Sequence, residues 1–260
     1  MKEIIKKWYE TLSFPKEFDN EFYKALESFE NTEISLEDFE PKSGIDDLMH
    51  FLYFCEGLEE KYKLMGIDEP VLFATLRDIV NWTKVWSEIK GELYLGETYW
   101  LRNHMEMKIF TLGRLQFCFG KAERDILEYN IAKGDDILEI HIPDGDRLDE
   151  NECRKSLSMA KDFFAKYFPQ YNYKRFTCHS WLLASELKDI INEESNIIKF
   201  QKMFDIISEE ESFDMLKYLF RHDATKENLH LFSANTSLGE KIKKRVESGK
   251  TLHVAYGIVK

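Results

Sequence analysis

Apolar residues at three- and four-residue steps dominate the first ninety positions. Ile4, Ile5, Trp8, Tyr9 and Leu12 fall on one helical face, and Ser13-Phe14-Pro15 stops that helix. Phe18, Phe22, Leu26 and Phe29 repeat the pattern, followed by an acidic link from Glu30 to Gly44 that contains Pro41. Ile45, Leu48, Met49, Leu52 and Cys55 predict a third helix ending near Gly57 or beyond. The clearest helix begins at Asp68, an N-cap, with Pro70 in the first turn where its missing N–H costs nothing. Leu72, Leu76, Ile79, Thr83, Trp86 and Ile89 trace its inner face, and Gly91 is the expected stop. Trp82 and Trp86, one turn apart, read as core packing or as a partner surface.

Around Tyr94 to His104 the period changes, which places a domain boundary between residues 1–97 and 98–260. Alternation from Met107 to Phe119 predicts a strand with Phe110, Leu112, Arg114, Gln116 and Cys118 on one face. Gly113 within it marks a bulge or a close approach. A second strand, Asp136–Ile142, halts at Pro143-Asp144-Gly145, and a helix opened by Asp149 runs towards Pro169. A third strand is expected over Arg175–Leu183, and helices over Leu187–Ile191, Asn196–Ile207 and Phe213–Arg221. Ser237-Leu238-Gly239-Glu240 reads as a capping box, and Thr251–Val259 as a closing strand. The result is an α+β chain: an all-helical first part, then a mixed sheet with flanking helices.

Charge narrows the function. A formal net charge of −12 argues against a nucleic-acid groove, which needs clustered Lys and Arg. The basic run Lys241-Ile242-Lys243-Lys244-Arg245 reads as a solvated helix face. Cys55, Cys118, Cys153 and Cys178 form no CxxC pair, so neither zinc nor a redox dithiol is expected, and reduced core thiols suit a cytoplasmic protein. No apolar run reaches the roughly 18 residues that span a bilayer. GxxxxGKS, GxGxxG, HExxH and GxSxG are all absent.

Strand alternation concentrates the chemistry. Glu139 and His141 share a face about 7 Å apart, His179 shares one with Thr177 and Trp181, and Arg114 shares one with Gln116. Polar pairs on three strands imply either a common pocket or a solvated sheet face. A carboxylate beside an imidazole makes Glu139–His141 a candidate base pair, with His179 as competitor. The turn from Pro143 to Leu148 offers Gly145 for close backbone approach and Arg147 for an anion. Asp144, Asp146, Asp149 and Glu150 equally satisfy a helix dipole without any ligand.

Several segments carry a family resemblance: Tyr99-Trp100-Leu101-Arg102-Asn103-His104-Met105, Leu112-Gly113-Arg114-Leu115-Gln116-Phe117, His141-Ile142-Pro143-Asp144-Gly145, Phe176-Thr177-Cys178-His179-Ser180-Trp181-Leu182-Leu183, Ser195-Asn196-Ile197-Ile198-Lys199-Phe200-Gln201 and Thr236-Ser237-Leu238. In this order they resemble bacterial acyltransferase-domain proteins with a helical N-acyltransferase N-terminal domain and a GNAT-like C-terminal domain. The resemblance implies transfer of an acyl group, acetyl in the usual case, from acetyl-CoA or another acyl-CoA to an amine of a small molecule or peptide. It implies a sheet that splays beside the central strand to admit the thioester, and a pyrophosphate seated on the next helix. Coenzyme contacts would then fall on Ile140, Ile142, Pro143, Asp144, Gly145, Arg147 and Leu148, with Glu139, His141 and His179 as catalytic groups. Arg114, Gln116 and Trp181 would shape the acceptor side. The family's glycine-rich Q/R-x-x-G-x-G/A loop is missing here. The competing expectations are an acyl-CoA or peptide binder without turnover and a protein-interaction domain.

Overall fold

Amphipathic stripes of the first part become helices that bury them. A computed structural model describes residues 1–30 and 34–260, so positions 31–33 of the expected acidic link lie outside the described residues. Two compact units divide between Thr111 and Leu112. The first holds α1 (Lys2–Thr11), α2 (Asp19–Ser28), α3 (Ile45–Met65), α4 (Glu69–Lys90) and α5 (Thr98–Met105). α3 continues past Gly57 and stops at Gly66, and α4 stops at Gly91; both glycines take the left-handed conformation that releases a helix. α5 belongs to this unit: His104, fully buried, lies 3.0 Å by its Nε2 from Asp78 Oδ2 of α4. Trp86, half-buried, packs on Gly96, where an added Cβ would stand 2.3 Å from the indole.

The long strand expected over Met107–Phe119 is broken. β1 (Ile109–Leu112) and β2 (Leu115–Lys121) are separated by a turn at Gly113-Arg114. Gly113 has φ +70° and a Cβ there would stand 2.7 Å from Ser156 Oγ, so both backbone conformation and space demand glycine. Arg114 therefore does not share a strand face with Gln116. β3 (Asp136–His141) is followed by α6 (Glu150–Tyr167), and β4 (Phe176–Ser180) passes into a short 3-10 turn at Trp181–Leu183. After α7 (Leu187–Ile190) and α8 (Asn196–Gln201), Phe204–Ile207, expected to continue a helix, instead opens β5 (Phe204–Glu211). α9 (Met215–Leu219), α10 (Ser237–Glu247) and β6 (His253–Val259) complete the chain. Thr236, not Ser237, caps α10, accepting the Gly239 N–H at 3.0 Å.

The sheet order is β1-β2-β3-β4-β6-β5. β3 and β4 run parallel; the pairs β2/β3, β4/β6 and β5/β6 are antiparallel. One face receives α6 through Cys153, Leu157, Ala160 and Phe164, with Phe119 set edge-on to Phe164. The other carries a smaller cluster of Ala122, Ile126, Ile131, Ile137 and Ile258, formed where the loop after β2 folds down. That loop is tied to β5 by Tyr129 donating to Asp205 at 2.6 Å and by Arg124 donating to Ser208 Oγ. It covers part of the face and leaves the rest open. Among the described residues no helix is long and apolar enough to cross a membrane.

Candidate active site

The open part of that face is a cavity of about 350 Å³. Its floor is set by strand register: Glu139 of β3 lies opposite Thr177 of β4, and His179 of β4 opposite Tyr256 of β6. Glu139, His141, Thr177, His179, Ser208, Glu210 and Tyr256 all line it. The alternation that puts Glu139 and His141 on one face thus brings them together with His179.

Each histidine has a carboxylate companion. His141 Nε2 stands 3.7 Å from Glu139 Oε2, and His179 Nε2 stands 3.4 Å from Glu210 Oε1. All four side chains are partly exposed, although the Nε2 atom of His141 is itself buried. Burial pushes the Tyr256 hydroxyl above its usual range. Burial likewise drives the Cys178 thiol far up, which makes this strand-embedded cysteine a poor nucleophile.

Glu139 owes its position to a neighbour without a side chain. Gly120 of β2 adopts no left-handed conformation, so the backbone does not require glycine there. A Cβ on Gly120 would lie 2.5 Å from Glu139 Oε1 and 2.7 Å from its Cδ. The glycine is a seat for the glutamate.

The parallel pair supplies the second feature. Pairing between β3 and β4 is confined to Leu138–Phe176 and Glu139–Thr177. β3 nevertheless continues to His141 on its β2 side, and β4 to Ser180 on its β6 side. The two strands therefore separate beyond Glu139 and Thr177. A wedge opens in the middle of the sheet, with Ile140 and His141 on one lip and Cys178 and His179 on the other.

Of the remaining expected site residues, Ile140 lines the cavity and the others lie outside its lining. Arg114 grips the turn after β3: its guanidinium donates to Pro143 O at 2.9 Å and to Arg147 O at 3.2 Å, and burial lowers its pKa. Gln116 lies opposite His141 and is buried. Trp181 does not share the strand face of His179; the chain has left the sheet, and its ring stacks on Tyr218 at 6.2 Å, packed against the core under α7, α9 and α10. In the turn, Asp144 accepts the Gly145 N–H, Gly145 has φ +122°, and Leu148 is buried. Asp149 accepts from the N–H groups of Asn151 and Glu152. Asp144, Gly145 and Arg147 are exposed, and Ile142 and Pro143 half-buried.

Glu186, Glu209 and His253 place three potential metal ligands within 4.8 Å of one another. Glu186 already accepts the His253 N–H at 2.8 Å, and Glu209 accepts from both the N–H and the hydroxyl of Ser185, so the group is satisfied as a hydrogen-bonded cluster. The basic run on α10 is also engaged: Lys241, Lys243 and Arg245 donate to the carbonyls of Ile190, Phe232 and Thr251.

Residues 109–259 match the model of the GNAT-like C-terminal domain. The chain belongs to that family. Residues 4–107 match the N-acyltransferase N-terminal domain, so the two matches meet near the division between the compact units. None of the curated proteins compared matches the chain. Among solved structures, an acyltransferase in complex with decanoyl-CoA and teicoplanin superposes with a TM-score of 0.72 at 22% identity, over 82% of this chain and 65% of that one. An acyltransferase mutant in complex with octanoyl-CoA gives 0.73 at 22%, over 83% and 66%. This GNAT-like chain thus spans less than two thirds of those chains. At such identity the likeness establishes the fold.

Proposed function

We propose that the second unit is an acyl-CoA-dependent N-acyltransferase that works by direct attack of an acceptor amine on the thioester. The observation that carries this reading is the wedge between β3 and β4, flanked by the His141–Glu139 and His179–Glu210 pairs. A thioester laid in the wedge would expose its carbonyl to an amine standing in the cavity. His141, oriented by Glu139, or His179 through a water, accepts the amine proton. Backbone N–H groups near Ile142 polarise the carbonyl. The amine nitrogen bonds to the carbonyl carbon, the C–S bond breaks, and coenzyme A leaves as the thiol. Arg114 acts by holding the turn from Pro143 to Arg147, along which the coenzyme's phosphates are proposed to lie. The structural neighbours carry decanoyl and octanoyl chains, so acetyl is one member of an open series for the acyl group.

The competing reading is a binder of acyl-CoA without turnover, favoured by Asp149 occupying the first N–H groups of α6. Thermal shift with acetyl-, octanoyl- and decanoyl-CoA, followed by thiol release with an amine panel, separates the two. Stabilisation with amine-dependent thiol release is the expected result. Stabilisation without release leaves the binder. No stabilisation by any of the three esters removes both.

A further inference from the structure

The cavity holds both signs of charge, and the position of its arginine suggests what the acceptor carries besides its amine. Arg124 lies on the loop after β2, far in sequence from the strands it reaches. Its guanidinium lies over the Tyr256 ring, 5.7 Å from the centroid, and donates to Ser208 Oγ. Among the described residues no carboxylate stands within ion-pair distance of it, although Glu139 and Glu210 line the same cavity. A guanidinium held near a ring face and fixed by one hydrogen bond keeps further donors in a planar fork that matches a carboxylate. Glu139 and Glu210, on the other hand, favour an ammonium.

We propose that the acceptor is an amine that also bears a carboxylate, with the ammonium drawn to the His141–Glu139 pair on β3 and the carboxylate met by Arg124. This assignment rests on the transferase reading above. Arg124 is anchored over β6 and β5, while Glu139 and His141 belong to β3, two strand spacings from β6, or about 10 Å. That span favours an acceptor whose two groups are separated by several carbons over an α-amino group beside its own carboxylate. A side-chain amine of an amino acid, or the amino terminus of a short peptide, has this shape.

The test compares ε-aminocaproate with hexylamine, which is of similar length but lacks the carboxylate. Thiol release should show kcat/KM about tenfold higher for ε-aminocaproate, the size of one charge-assisted contact. Arg124→Gln should lower that value about tenfold more than it lowers the value for hexylamine, chiefly through KM. Arg124→Lys, which keeps the charge but loses the fork, should recover part of the preference. Ligand NMR of the two amines with the full chain reads the same preference without turnover. Arg124-dependent preference without thiol release would overturn the transferase reading alone. Equal use and equal binding of the two amines, or equal losses in Arg124→Gln, would overturn the acceptor assignment.

Discussion

Replacing Gly120 by alanine sets stability against activity in a single substitution. Glycine inside a strand is worse than alanine by roughly 0.5–1 kcal/mol, because it loses more backbone freedom on folding. Gly120 has no left-handed backbone to protect, so alanine should recover much of that amount. The new methyl group would stand 2.5 Å from Glu139 Oε1 and 2.7 Å from Cδ and Cγ. The obstructing atoms belong to the end of a flexible, partly exposed side chain, so the carboxylate retreats and the backbone stays. It must retreat by about 1 Å to regain ordinary contact. A displacement of that size in a catalytic group costs up to about a hundredfold in rate. The expected loss in kcat is therefore about 10- to 100-fold, or roughly 1.4–2.7 kcal/mol of transition-state stabilisation. Thermal unfolding and amine-dependent thiol release are measured on the same preparation, with Glu139→Gln as reference. A variant that melts no lower than the parent yet loses activity, with a pH–rate profile moved towards that of Glu139→Gln, supports the argument. Full activity in Gly120→Ala alongside an impaired Glu139→Gln, or a clear loss of stability in Gly120→Ala, would refute it.

Other substitutions address separate parts of the structure. Asp78→Ala should destabilise the first unit by about 3 kcal/mol, since it strands the buried His104 ring and the Trp100 N–H; chemical unfolding measures this. Arg114→Met should raise KM for acyl-CoA more than it lowers kcat, because it frees the carbonyls of Pro143 and Arg147; a kinetic titration of acyl-CoA decides. Tyr171 accepts the Gly120 N–H and can donate to Gly120 O or Ile137 O, and burial raises its pKa to about 12. The unfolded chain releases this proton near pH 10 while the native state holds it, so its contribution to stability is present below pH 10 and is lost as pH rises towards 12. Tyr171→Phe should flatten the alkaline limb of a plot of melting temperature against pH.

Local physics alone determined a good part of this protein. Periodic apolar faces located α1 to α4, and the alternation in Asp136–His141 set Glu139 and His141 on one face, because a strand's side chains alternate whatever it pairs with. Asp149 and Ser195 were legible as caps for the same reason: the hydrogen bonds they make span two or three residues. Where pairing decides, the chain by itself misled. Phe204–Ile207 reads as the end of a helix, yet Phe204–Glu211 is an edge strand, where exposed charge discourages further pairing. Losing that strand hid Glu210 and Ser208 from the site, and Tyr256 passed unnoticed because only register places it beside His179. A positive φ at Gly113 took Arg114 off the strand and onto the turn it now anchors. The short 3-10 turn after Ser180 removed Trp181 from the face it shares by alternation. The wedge between β3 and β4, the seat that Gly120 makes for Glu139, and the reach of Arg124 across to β5 come from tertiary structure. Each is a relation between segments distant in sequence, set by sheet order and packing, and no local pattern encodes a distance of that kind.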